Sequence, residues 1–100
     1  MTLQELKNEF GTDLKEVKIL AGVYFLIRQD TVIYIGRSRN IQERLAVHNL
    51  DKTKTLHWWD SVLCIEEHDE KERARLETRL INTHWPELNK QNGGGRRKYK

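Results

Sequence analysis

The chain has 100 residues, enough for one domain with a modest core and too few for two. Hydrophobic residues make up 37% and charged residues 33%, which fits a globular chain with a densely charged surface, and the single cysteine, Cys64, excludes an intramolecular disulfide. No apolar run approaches the ~20 residues of a membrane span, and the start MTLQELKNEF lacks the basic and apolar regions of a signal peptide, so a cytoplasmic protein with no membrane partner is expected.

In chain order, Thr2-Leu3-Gln4-Glu5 matches a capping box, and Leu3, Leu6 and Phe10 recur at helical spacing, so a short helix should end near Gly11. Asp13 to Leu20 is mixed and reads as irregular lead-in that can pack against a sheet edge. Two runs rich in β-branched and aromatic residues follow, Val23 to Ile27 and Val32 to Ile35, each with one tyrosine. They predict a β-hairpin. If Tyr24 pairs with Tyr34, Ile27 pairs with Thr31, Arg28 to Asp30 form a three-residue loop, and both phenols stand on one face. One step of slip would place them on opposite faces.

Gly36 ends the second strand, and Asn40 is a good N-cap for a helix from Ile41 to about Leu50. On that helix Arg44 and His48 are neighbours, four residues apart. Asp51 to Thr55 reads as a loop and His57 to Ile65 as a third strand, with Trp58 and Trp59 on opposite faces. Asp69 can cap a helix running to about His84, before Pro86. Glu77 falls inside the apolar face of that helix, with Arg73 and His84 near it; a carboxylate there must be paired, bound to metal or open to a cleft. The expected fold is α/β: a three-stranded, mostly antiparallel sheet flanked by helices. Its divisions are a lead-in over 1–20, a core domain over 21–89 and a flexible basic tail over 90–100.

The net charge of +3 matters less than its placement. Five of 18 Lys and Arg residues lie from Lys90 onward, where there is no acid, leaving residues 1–89 with 13 bases against 15 acids. Arg37 and Arg39, beside Arg44, form a local basic patch suited to phosphate, and Lys98 in the tail can add nonspecific phosphate affinity. Glu77 can hold one Mg²⁺ or Mn²⁺, because Mg²⁺ accepts only one or two carboxylates and keeps several waters. Arg44 offers a planar fork for a phosphate. A tyrosine can relay a proton only if its site lowers the pKa from ~10.

Gly22-Val23-Tyr24 followed by Tyr34-Ile35-Gly36 resembles the signature of the GIY-YIG nucleases, with valine in place of the usual isoleucine. Arg44, His48, Glu77 and Asn89 fall, in order, where that family has its helix arginine, histidine, glutamate and late asparagine. The resemblance covers Gly22 to about Asn89. It implies a metal-dependent endonuclease acting on DNA, with Tyr24 activating water, Tyr34 and His48 positioning water and phosphate, and Asn89 supporting the site. His57 resembles a histidine of some homing enzymes. A targeting partner or a homodimer would supply specificity that so short a chain lacks. Two other readings stay open: a nucleic-acid-binding module without efficient cleavage, and a protein-interaction domain with structural tyrosines.

Overall fold

The computed structural model describes residues 1–16, 20–50 and 59–91, with only the backbone for 47–50 and 90–91. Helix α1 (Leu3–Phe10) leads through one 3₁₀ turn to strand β1 (Leu14–Lys15). Strands β2 (Gly22–Arg28) and β3 (Thr31–Ser38) form the hairpin, followed by α2 (Ile41–Leu50), β4 (Ser61–Glu66), α3 (Glu70–His84) and α4 (Glu87–Gln91). The sheet has four strands in the order β1-β4-β2-β3, and every pairing is antiparallel. The expected three strands are therefore one too few. β1 is only two residues long, and no side-chain period can emerge from so short a strand.

The predicted helix starts carry their caps. Thr2 and Glu5 exchange side-chain hydrogen bonds with each other's backbone N–H. Asn40 Oδ1 accepts from the Glu43 N–H, and Asp69 accepts from Lys71 and Glu72. Helix α3 stops at His84, before Pro86, as the ring requires. Helix α4 was not expected, since five residues beside a low-complexity end give no periodic signal.

β2 is central in the sheet, which explains its unbroken apolar run: Gly22 through Ile27 are all buried. One face packs Val23, Phe25, Ile27, Val32, Ile35 and Ile65 against Leu6 of α1 and Leu80 of α3. The other packs Tyr24, Leu26, Ile33, Val62 and Cys64 against Ile41 and Leu45 of α2. Cys64 is fully buried, in keeping with a small hydrophobe.

The hairpin register differs from the expected one. A two-residue turn, Gln29-Asp30, has both residues at positive φ, the twist that matches paired strands. Counting back from that turn alone would set Tyr24 opposite Ile35 and put the two phenols on opposite faces. A β-bulge corrects the count: Leu26 pairs with Tyr34, Ile27 with Val32, and Ile33 is the extra residue. Tyr24 then lies opposite Gly36, one diagonal step from Tyr34 and on the same face. The bulge also lets Val32 and Ile35, an odd number of residues apart, share the other face.

Candidate active site

The two motif glycines are fixed by contact. A Cβ on Gly22 would stand 1.9 Å from the Ile65 carbonyl oxygen, a backbone atom of β4. A Cβ on Gly36 would stand 2.5 Å from both the ζ carbon and the hydroxyl oxygen of Tyr24. The Tyr24 ring thus lies across the bare backbone of its cross-strand partner. That placement leaves Tyr24 1% exposed, with its ring centroid 6.2 Å from that of Tyr34. Tyr34 is half-buried, so it is the phenol nearer solvent.

From α2, the exposed Arg44 donates to the Tyr24 hydroxyl, and a hydrogen bond links the hydroxyls of Tyr24 and Tyr34. Burial raises the pKa of both phenols. The charge of an ionised Tyr34 adds to the rise at Tyr24 and that of Glu77 adds to it at Tyr34, while Arg44 opposes it at both. The requirement for a lowered phenol pKa is therefore unmet in the metal-free protein. In this state both phenols are neutral hydrogen-bonding groups. An ultraviolet titration of the metal-free protein should find Tyr24 and Tyr34 ionising above the ordinary value of 10.0. Tyr24→Phe and Tyr34→Phe should each remove one late step. The folded phenols hold protons that the unfolded chain releases, so stability falls as pH rises past 10.0.

Glu77, on α3, reaches the cluster from the other layer. Its carboxylate accepts from Arg37 Nη1 at 2.5 Å. Its side chain is 17% exposed, against 45% for Arg37. Burial raises its pKa, and the charges of Arg37 and then Arg44 oppose the rise. The partners expected from helical spacing are engaged elsewhere. Arg73 donates to the carbonyls of Glu67 and His68, and His84 faces Glu9 of α1. A cross-element pair such as Arg37–Glu77 leaves no trace in local periodicity.

Asn89 is buried and acts on the backbone of β3. Its Oδ1 accepts from the Ile35 N–H at 2.8 Å, and its Nδ2 donates to the Ile35 carbonyl at 2.9 Å. It thereby clamps the residue between Tyr34 and Gly36, a positioning role. Arg39 is exposed, whereas Arg37 is not free for phosphate while paired. The side chain of His48, together with His57, Trp58 and Lys98, lies outside the described residues.

The donor set fits a hydrated hard cation. Among the described residues, no three His, Cys, Asp or Glu side chains come together to hold a metal. A lone carboxylate such as Glu77 suits an ion content with one carboxylate and waters, and it already accepts one cation, Arg37. No described helix is long and apolar enough to cross a membrane.

The profile of the GIY-YIG catalytic domain matches residues 20–92. The chain belongs to the GIY-YIG family. The GIY-YIG fold is shared with the N-terminal endonuclease domain of UvrC from Thermotoga maritima, solved with its catalytic divalent cation, magnesium. That structure aligns with a TM-score of 0.65 and 25% identity over 89% of this chain and 99% of the other. A tyrosine-to-phenylalanine mutant of the same domain aligns at 0.65 and 24% identity, over 89% and 99% of the two chains. An asparagine-to-alanine mutant aligns at 0.62 and 22%, over 88% and 97%. Among curated proteins, none matches this GIY-YIG chain.

Proposed function

We propose that this GIY-YIG protein is a divalent-metal-dependent endonuclease that hydrolyses phosphodiester bonds in DNA. The observation that carries the proposal is one cluster inside a catalytic-domain match: the Arg44 guanidinium bonds the buried Tyr24 hydroxyl, Tyr24 and Tyr34 share one sheet face, and the half-buried Glu77 carboxylate is near enough to act on both phenols. The magnesium of the Thermotoga domain supports the same class of ion here, with Glu77 as its protein ligand. When bound, Mg²⁺ or Mn²⁺ supplies Lewis-acid polarisation of a phosphate oxygen and of a coordinated water.

The side chains do the rest. Arg44 is exposed enough to meet a phosphate and holds Tyr24 by the same guanidinium. Tyr34 is the less buried of the two phenols, and its hydrogen bond with Tyr24 holds its hydroxyl in place. In hydrolysis the water oxygen bonds to phosphorus as the P–O ester bond breaks; water gives up a proton and the leaving oxygen gains one. Neutral phenols suit the donor side of that exchange, orienting water and donating to phosphate or leaving oxygen. Asn89 keeps Tyr34 and Gly36 in place through Ile35. Arg39, Lys98 and His48 complete the proposed contacts to DNA, and a partner or second copy would supply targeting.

The test is a plasmid and branched-DNA cleavage panel with Mg²⁺, Mn²⁺ or EDTA. Metal-dependent nicking is expected, and binding without cleavage under every condition would favour a binding module. Arg44→Lys should keep the charge but lose the fork and its geometry on Tyr24. The expected loss in cleavage is about 100-fold, comparable to removing one preorganised donor. DNA affinity, measured by titration in EDTA, should change far less.

A further inference from the structure

We infer that Arg37 is a shared cation, held by Glu77 in the metal-free protein and released to a substrate phosphodiester when a divalent ion takes the carboxylate. This rests on the reading of Glu77 as the metal ligand. Three observations carry it.

First, among the described residues Arg37 is the side chain that bonds Glu77, through Nη1 to Oε1. Arg44 acts on that carboxylate only at a distance. A guanidinium and a divalent ion would compete for the same carboxylate charge. Second, the two partners are unequally buried: Arg37 is 45% exposed and Glu77 17%. The arginine reaches inward from solvent, so withdrawing it costs little hydration, while the carboxylate it leaves needs another cation. Third, Arg37 directly follows Gly36 and precedes the exposed Arg39 on the segment leading to the Arg44 helix. A released guanidinium stays on the exposed segment that carries Arg39 and leads into the Arg44 helix.

One arginine with two alternative anions couples their ligands. Metal binding frees Arg37 for phosphate, and phosphate binding frees Glu77 for metal. By linkage, each ligand must raise the other's affinity by the same factor. The pair also keeps Glu77 matched when no ion is bound.

The test measures Mn²⁺ binding to the intact chain by electron paramagnetic resonance of the free ion, without nucleic acid. Arg37→Gln should bind Mn²⁺ about five-fold more tightly than wild type, the lower end of site-to-site coupling for a half-exposed pair. Arg44→Gln removes a charge that acts on Glu77 without bonding it, and should give a clearly smaller gain. Dimethyl phosphate, a phosphodiester that does not turn over on this timescale, should raise Mn²⁺ affinity in wild type and not in Arg37→Gln. Equal gains in the two arginine variants, or an unchanged affinity in Arg37→Gln, would overturn the shared-cation role. If Mn²⁺ binding is absent from wild type, or survives intact in Glu77→Gln, the metal site itself is wrong, a separate failure. Circular dichroism and a thermal melt should show all variants folded.

Discussion

Glu77→Gln should lose cleavage by a factor of about 10²–10³, the scale of removing one centre of transition-state charge stabilisation, while folding normally. The structure explains the separation. The ion pair broken, among the described residues, involves a half-exposed arginine, and such pairs are worth about 0–1 kcal/mol. Against that loss stands relief from burying a carboxylate. The pH dependence has a definite sign. Burial raises the Glu77 pKa above 4.5, so the folded state holds the proton more tightly than the unfolded chain. Stability is then fullest below 4.5 and falls as pH rises through the folded value. Glutamine has no such step, so metal-free Glu77→Gln should gain on wild type as pH rises across that window. Thermal melts at several pH values with a chelator, and a nicking assay with Mg²⁺, check both halves. Wild-type cleavage by the variant would end the metal-ligand role.

Gly36→Ala should be nearly as damaging to activity, by a different route. The new methyl would stand 2.5 Å from the Tyr24 hydroxyl oxygen, so the ring must move. A displacement near 1 Å in a group that positions reacting atoms can cost about 100-fold in rate. Overpacking of this kind costs about 1–3 kcal/mol in stability. The protein should therefore still fold, with a lowered melting temperature and little cleavage. Gly22→Ala makes the contrast. There the methyl meets the Ile65 backbone at 1.9 Å, and no side chain can swing aside. That variant should fail to fold stably. Circular dichroism melts and nicking assays on both proteins distinguish a displaced ring from a broken sheet.

Much of the fold was legible because its signals are local. Thr2, Asn40 and Asp69 each cap the helix they announce, and Pro86 marks where α3 has stopped. β1 and α4 were missed because two and five residues carry no period. The hairpin is the instructive case. Both tyrosines do share a face, but through a two-residue turn and a bulge at Ile33 rather than a three-residue loop. Two unforeseen departures cancel in parity. At the site, residue types and their order could be read along the chain, whereas their partners could not. The Arg37–Glu77 pair spans 40 residues and the Asn89–Ile35 clamp 54, and only the folded chain brings them together.

The clamp on β3 also bears on how the protein behaves in concentrated solution. β3 is the outer strand of the sheet, and an outer strand with bare N–H and C=O groups is a template for another chain. Here the carboxamide of Asn89 fills both groups of Ile35, and the Met1 carbonyl accepts from the Val32 N–H at 2.8 Å. A side chain thus imitates a neighbouring strand for the length of one residue. Loosening α4 would uncover an apolar strand edge at Ile35, converting a local opening into a seed for self-association.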